Sequence, residues 1–209
     1  MASKSDLTKP SLSEIIPGLF IGNELSTYDE PTLVDNHITA VVSLVYAKTA
    51  LWQRSKFTRH VTKERHLHIA CKDSSTQDLL KNLDTICDFI DRMMCQQSKK
   101  SDSKILVHCS HGISRSAAAV IAYLMRKDRK DLATVLGQVT AKRPLAKPSD
   151  DFMVQLEIWE QLEYRIWDDE AKTIPKKAYA DWLDHRLILC KEKGLTGNEP
   201  DTPQDLSDL

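Results

Sequence analysis

The chain has 209 residues, 41% of them hydrophobic, which suits one domain of ordinary size with extensions and is enough to bury a core. Its net charge of −1 gives no argument for nucleic acid or a membrane surface as a general partner. The longest uninterrupted apolar run, residues 117–125, is too short to span a bilayer, so we expect no membrane association.

The cysteines and the first residues of the chain indicate in which cellular compartment to expect the protein. Five cysteines, at positions 71, 87, 95, 109 and 190, form neither a paired framework nor the spacing of a metal site. The first residues do not resemble a secretory signal peptide. We therefore expect a reducing compartment, which is the cytoplasm, the nucleus or both.

The first part of the chain predicts short strands and helices. Residues 1–11 are polar, and we expect a flexible tail there. A turn followed by a short strand is predicted at 15–22, a short helix at 30–36, and a strand buried on both faces at 38–45.

Residues 46–66 form the most basic stretch of an otherwise neutral chain. Its basic residues, with Trp52 and Phe57 interleaved, are Lys48, Arg54, Lys56, Arg59, Lys63 and Arg65. Such a stretch is either a solvated loop or a docking surface for phosphorylated or acidic partners.

A polar loop with two candidate acids follows a strand predicted at 66–70. This acid loop, residues 71–79, contains Asp73 and Asp78 and leads into a long helix. The helix is predicted because apolar residues then recur at helical spacing, at positions 79, 80, 83, 86, 87, 90, 93 and 94.

The central stretch is residues 108–116, reading His-Cys-Ser-His-Gly-Ile-Ser-Arg-Ser. An apolar strand at 105–107 precedes it, and an alanine-rich helix predicted at 116–127 follows. A helix N-terminus after a strand and a tight loop presents unpaired N–H groups and the positive end of the helix dipole, which hold a phosphate dianion.

The residue types in this stretch suit phosphoryl transfer. Cys109 is a nucleophile whose thiolate the loop amides, the helix dipole and Arg115 would stabilise. Arg115 also offers a planar fork that matches two phosphoryl oxygens. We expect Gly112 to take a positive φ, and the Ser116 hydroxyl to hydrogen-bond to the sulfur and make it a better leaving group.

Residues 108–116 resemble the signature of the cysteine-dependent protein phosphatases, and their Ser-Arg-Ser ending with the Ala-Tyr-Leu-Met at 122–125 resembles the dual-specificity branch. The resemblance covers residues 12–165. It implies an α/β fold with a central, mostly parallel, twisted sheet of four to five strands flanked by helices. It also implies a cysteinyl-phosphate intermediate, no metal or other cofactor, and a general-acid aspartate on a separate upstream loop.

The resemblance also assigns roles to single residues. It places the general acid on Asp73, which leaves Asp78 as the N-cap of the long helix. His108 is expected to support the loop. The nucleophile loop, residues 109–115, would bind the substrate phosphate through Ser110, His111, Gly112, Ile113 and Ser114.

The C-terminal part adds helices and two further candidates for substrate recognition. Asp131 is expected to cap one helix, and Ser149, where the family usually has Asn, to cap the next. Arg143 and Lys147 are expected to line the cleft and contact a second phosphate. Beyond the phosphatase domain we expect a helical extension at 166–195, with Gly194 ending its helix, and a disordered acidic tail at 196–209.

These observations favour a phosphoprotein phosphatase that acts on phosphotyrosine and on phosphoserine or phosphothreonine, with no nucleic acid partner. A phosphatase of RNA 5′-phosphates or phosphoinositides, and an inactive phospho-binding module, remain as alternatives. Cys71 is a candidate redox partner of Cys109, because it ends a strand expected to lie beside the strand that leads into Cys109.

Overall fold

The computed structural model describes residues 8–46, 59–97 and 104–196. Its centre is one sheet formed by β1 Leu12–Ile16, β2 Leu19–Asn23, β3 Ile38–Leu44, β4 His66–Ile69 and β5 Lys104–Cys109. The strands are ordered β1-β2-β5-β3-β4 across the sheet. Only β1 pairs antiparallel, with β2, and the other neighbours are parallel. The predicted α/β architecture is confirmed.

Helices flank the sheet and follow the predicted pattern closely. Within the described ranges the α-helices are α1 Leu25–Tyr28, α2 Glu30–Asp35, α3 Leu80–Gln97, α4 Arg115–Asp128, α5 Leu132–Lys142, α6 Asp150–Gln161 and α7 Lys177–Glu192. The apolar stripe of α3 lies in the core. Because Gly194 adopts a positive φ of 64°, the chain leaves its helical course just after α7, as predicted.

The core lies between β5 and α4, the two elements that flank the nucleophile loop. Every residue of α4 from Arg115 to Met125 is buried, because α3, α5 and α6 pack around this helix. A helix that is apolar all round is therefore explained by its central position in the domain. Among the described residues, none of the helices combines the length and apolar character needed to cross a membrane.

The first residues of the described chain pack against the domain. The strand β1 was not predicted, and it forms a hairpin with β2 through a turn in which Gly18 has a φ of 84°. Before it, the Ser11 N–H donates to Asn23 Oδ1 over 3.1 Å, and the Asn23 side chain donates to the Lys9 carbonyl over 2.7 Å. The packed domain thus begins before Leu12, although the sequence had suggested Leu12 as its first residue.

The predicted helix caps differ in outcome. Asp131 caps α5, since its carboxylate accepts from the Thr134 N–H over 2.8 Å. Ser149 occupies the N-cap position of α6, but its side chain makes no capping hydrogen bond, so that part of the prediction is wrong. Its hydroxyl is buried and has no hydrogen-bond partner among the described residues.

Candidate active site

The nucleophile loop curls at Gly112, where the backbone excludes any side chain. Gly112 has a φ of 69°, as expected, and an added Cβ would lie 2.6 Å from the Gly22 carbonyl oxygen and 2.7 Å from the Arg143 guanidinium. Its N–H consequently points inward and donates to Cys109 Sγ over 3.2 Å. The loop thus directs a backbone amide at the sulfur.

Cys109 ends β5 and lies at the base of this loop, with 1% of its surface exposed. Ser116 Oγ lies 3.3 Å from Cys109 Sγ. Burial by itself would raise the pKa of the thiol, but the Arg115 charge, the Ser116 hydroxyl and the Ser116 and Ile113 amides outweigh it and lower the pKa below its ordinary value. The surroundings of Cys109 therefore favour the thiolate.

Arg115 begins α4, and its guanidinium contacts both the acid loop and the nucleophile loop. Its guanidinium donates to the Cys71 carbonyl over 3.0 Å and to Ser110 Oγ over 3.1 Å. It also lies 3.5 Å, Nε to Oδ2, from Asp73. Only 4% of Arg115 is exposed, so these partners fix the plane of the guanidinium before any ligand binds.

The two candidate acids face different surroundings. Asp73 Oδ1 accepts from Ser114 Oγ over 2.8 Å, and the carboxyl is 24% exposed. Asp78 is 4% exposed and accepts from the Lys81 N–H over 3.2 Å, so it caps the first turn of α3 as predicted. It also accepts from the Tyr179 hydroxyl over 2.7 Å. Of the two aspartates, Asp73 is the one in contact with the nucleophile loop.

The two histidines of the central stretch both have a lowered pKa, which favours the uncharged imidazole. Burial lowers the pKa of His108 to about 3, and its Nε2 lies 2.7 Å from Ser43 Oγ beneath the loop. Burial and the Arg115 charge also lower the pKa of His111, against the opposing effect of Asp73. Arg115 is therefore the cation that the nucleophile loop itself supplies to an anion.

The structure corrects the role expected for Arg143. This residue is 2% exposed, its Nε donates to the Gly112 carbonyl over 2.8 Å, and its NH1 lies 3.2 Å from Ser13 Oγ. A guanidinium buried behind the loop does not line the cleft, so Arg143 fastens the loop and does not meet a second phosphate. Lys147 is exposed, and its N–H donates to the Ile113 carbonyl over 2.9 Å, so its recognition role stays a prediction.

The premise for a redox role of Cys71 is wrong. This residue follows β4, and β3 lies between β4 and β5, so Cys71 does not end a strand that neighbours the one leading into Cys109. Cys71 is nevertheless buried in the same core cluster as Cys109, and its carbonyl orients Arg115. A disulfide between the two cysteines stays a prediction.

One contact of the site could not be foreseen from the sequence. The Ser149 N–H donates to Ser114 Oγ over 3.2 Å, and the Ser114 hydroxyl in turn donates to Asp73. Three chain segments thus meet at one hydroxyl, and no local pattern indicates such a meeting.

Most of the basic stretch at 46–66, including Arg54 and Lys56, lies outside the described residues.

Among the described residues there is no group of three or more His, Cys, Asp or Glu side chains that could hold a metal ion. The site is a thiolate, a fixed guanidinium and a carboxyl around a ring of amides. Such a set of groups can hold a phosphate ester, attack its phosphorus and exchange a proton with its oxygens.

Comparison with known proteins identifies the family. The family model described as dual specificity phosphatase, catalytic domain, matches residues 19–162. Dual specificity protein phosphatase 22-B of Danio rerio is 30% identical over 184 residues, which cover 86% of this chain and 91% of the relative. Dual specificity protein phosphatase MPK-4 of Drosophila melanogaster is 30% identical over 159 residues, which cover 75% of this chain and 38% of the relative.

A solved structure gives the same result. The Yvh1 phosphatase domain from Chaetomium thermophilum matches with a TM-score of 0.64 and 32% sequence identity, covering 73% of this chain and 96% of that domain. The chain thus spans a whole phosphatase domain, although it spans only 38% of the Drosophila relative. With the catalytic-domain model matching more than half of its length, the chain belongs to the dual specificity phosphatase family.

Proposed function

We propose that this protein is a phosphoprotein phosphatase that hydrolyses phosphotyrosine and phosphoserine or phosphothreonine through a cysteinyl-phosphate intermediate. The observation that carries the proposal is the meeting of Asp73, Ser114 and Arg115 at the nucleophile loop, with Cys109 at its base. Membership of the dual specificity phosphatase family supports it.

The groups of the site divide the reaction into two steps. In the first step the Cys109 thiolate attacks phosphorus while Asp73 gives its proton to the departing ester oxygen. In the second step Asp73 takes a proton from water, the resulting oxygen attacks the phosphocysteine, and the sulfur leaves as a thiolate that the Ser116 hydroxyl stabilises. The fork of Arg115 and the loop amides hold the phosphoryl oxygens in both transition states.

The charges around the loop favour a monoester on a protein over a polyphosphorylated ligand. Arg115 neutralises one phosphate, and the lowered pKa of His111 disfavours a second positive charge in the loop. A compartment that keeps Cys109 reduced, the cytoplasm or the nucleus, would suit this chemistry.

The nucleophile can be tested by Cys109→Ser, which should abolish turnover while the protein still binds a phosphopeptide. Metal-independent activity above a trace in Cys109→Ser would contradict the assignment. Substrate class should be tested on the unaltered protein with phosphotyrosine and phosphoserine peptides, a phosphoinositide and a 5′-triphosphate RNA. Turnover of the RNA or the lipid well above that of the peptides would favour the alternative substrates.

The lowered pKa of Cys109 leads to a second test, which is independent of turnover. A thiol is reactive as its thiolate, so alkylation by iodoacetamide should stay fast as the pH falls below the ordinary range of a cysteine and should slow only near the lowered pKa. Ser116→Ala removes one group that lowers this pKa, so its alkylation should slow at a higher pH than in the unaltered protein. Identical profiles would exclude a contribution of the hydroxyl to the thiolate.

A further inference from the structure

Helix α7 lies outside residues 19–162, which the family model matches, and it contacts the acid loop. Its segment reaches that loop through side chains spaced along its length: Tyr179 near its start, Arg186 in its second half and Lys193 at its C-cap. These three hydrogen bonds reach Asp78, Thr76 and Ser75, which all belong to the acid loop.

The first contact is buried and rigid. Tyr179 is 2% exposed, and its ring packs edge-on against Trp167 with centroids 5.4 Å apart and stacks on Trp182 at 6.2 Å. Its hydroxyl donates to Asp78 Oδ2 over 2.7 Å. Burial and the neighbouring Asp78 carboxylate raise the pKa of Tyr179, so it remains a protonated donor.

The other two contacts carry a positive charge to the loop. Arg186 Nε donates to the Thr76 carbonyl over 2.5 Å, and Lys193 Nζ donates to Ser75 Oγ over 2.5 Å. Hydrogen bonds from a charged donor are stronger than those between neutral groups. Together with Tyr179, they restrain residues 75, 76 and 78 of the acid loop.

Hydrogen bonds within the loop extend this restraint to Asp73. The Lys72 N–H donates to Gln77 Oε1 over 2.8 Å, and the Gln77 N–H donates to the Ser74 carbonyl over 3.1 Å. These two hydrogen bonds close the loop around Asp73. Lys72 and Ser74, the chain neighbours of Asp73, are thereby held in place. A shift of residues 75–78 would move Asp73 away from Ser114.

Packing alone does not explain the helix. In its second half Leu187 and Ile188 are 50% and 56% exposed, and Cys190 is the residue there that is buried, at 2% exposure. The same part carries the Arg186 contact with the acid loop. The polar contacts therefore add to the packing of Cys190 in placing this end of the helix.

We propose that α7 positions the general acid: Tyr179, Arg186 and Lys193 hold the acid loop against the nucleophile loop and so set the distance from Asp73 to the leaving oxygen. These are positioning residues, since they act through the loop and do not touch the substrate. The inference rests on the proposed role of Asp73 as general acid.

The chemistry provides a readout that a purely structural role would not move. A leaving group of high pKa needs a proton in the transition state, whereas one of low pKa departs nearly unaided. A displaced Asp73 should therefore slow phenyl phosphate hydrolysis much more than p-nitrophenyl phosphate hydrolysis. It should also flatten the basic limb of the pH–rate profile for phenyl phosphate.

The experiment compares Arg186→Met and Tyr179→Phe with the control Lys177→Met. Lys177 lies on the same helix, 87% exposed, and its ammonium pairs with Asp181. We expect the two test variants to lower kcat/KM for phenyl phosphate by roughly tenfold, as part of the general-acid contribution is lost, and kcat/KM for p-nitrophenyl phosphate by less than about twofold. The ratio kcat/KM is compared because it reports on departure of the leaving group and not on hydrolysis of the phosphocysteine, which is common to both esters. Lys177→Met should match the unaltered protein on both esters.

A double-variant cycle with Asp73→Asn completes the test. If α7 acts through Asp73, then Arg186→Met should cause little further loss once Asp73 is already Asn. Equal losses on the two esters, no loss on either, or a full additional loss in the Asp73→Asn background would overturn the inference. Tyr179→Phe removes only a hydroxyl, so it decides the matter if Arg186→Met lowers the melting temperature too far.

The same data separate this inference from the proposed function. If Asp73→Asn hydrolysed phenyl phosphate as fast as the unaltered protein, Asp73 would not be the acid and the proposed mechanism would fail. If Asp73→Asn were impaired while Arg186→Met and Tyr179→Phe behaved normally, the mechanism would stand and the positioning role of α7 would fall.

Discussion

At the scale of single residues, Asp73 and Asp78 illustrate how position decides chemistry. The two carboxyls belong to one short loop, but Asp73 meets Ser114 and Arg115, whereas Asp78 is buried against Tyr179 and the start of α3. A carboxyl that is partly exposed beside the nucleophile loop can exchange protons with substrate and water. A buried carboxyl that accepts two hydrogen bonds serves the fold.

Asp73→Asn should slow hydrolysis of a phosphotyrosine peptide by roughly two orders of magnitude, because an amide cannot give or take the proton. The basic limb of its pH–rate profile should flatten for the same reason. Steady-state kinetics across the pH range would measure both effects. A normal basic limb in Asp73→Asn would remove this residue from proton transfer.

Asp78→Asn should instead destabilise the protein by about 1–3 kcal/mol, since the hydrogen bonds of a buried carboxylate are replaced by weaker ones. Urea unfolding would measure the loss, and turnover of p-nitrophenyl phosphate should change little. If Asp78→Asn cost little stability but abolished turnover, the acid role would belong to Asp78.

At the scale of elements, the nucleophile loop depends on α5 as well as on β5 and α4. Arg143 directly follows α5, and it ties the Gly112 carbonyl and the Ser13 hydroxyl of β1 to that helix. Because Gly112 leaves no room for a Cβ against Gly22 and Arg143, the loop and its backing form one close-packed unit. The loop is therefore expected to hold its shape without a bound phosphate.

Arg143→Leu should lower stability by about 1–3 kcal/mol, because the buried Gly112 carbonyl loses its donor. It should also reduce kcat/KM equally for peptides that carry one or two phosphates. Lys142→Leu, at the exposed neighbouring position, is the matched control and should be close to neutral. A loss confined to doubly phosphorylated peptides would return Arg143 to the recognition role that the sequence had suggested.

At the scale of the whole molecule, α6 joins the acid loop to the core through one side chain. Gln155 is 1% exposed, and its Oε1 accepts from the Leu79 and Leu80 N–H groups over 2.8 and 3.1 Å. Its Nε2 donates to the Gln77 carbonyl over 2.9 Å. The N–H groups at the start of α3, which have no preceding helical turn to donate to, are thereby satisfied by a residue far along the chain.

Gln155→Leu should cost about 2–4 kcal/mol, because it leaves buried backbone groups without partners while keeping a similar volume. Gln161→Leu, on the exposed end of the same helix, should change stability by less than about 0.5 kcal/mol. Thermal and urea unfolding of the pair would measure the difference. Equal stability of the two variants would show that the bridge contributes nothing.

The sequence by itself determined the nucleophile loop and the order of the elements around it. Cys109, Gly112 and Arg115 lie within seven consecutive residues, so their geometry follows from local backbone preferences between a strand and a helix. Apolar periodicity likewise placed α3, because burial of one helix face is written in the spacing of residues, and an alanine-rich run placed α4. The assignment of Asp73 needed the resemblance to a known family, since the residues alone offered two acids.

Only the tertiary structure decided which distant segments meet. Strand order is set by pairing between segments far apart in sequence, and it separated β4 from β5 and removed the basis for pairing Cys71 with Cys109. The same holds for Arg143: its charge suggested a place on the surface of the cleft, but its guanidinium makes its hydrogen bonds inside the protein. It also holds for α7, because Tyr179 and Arg186 reach the acid loop about 100 residues upstream. Contacts of this kind leave no local pattern, because they depend on how the elements pack and not on the residues beside them.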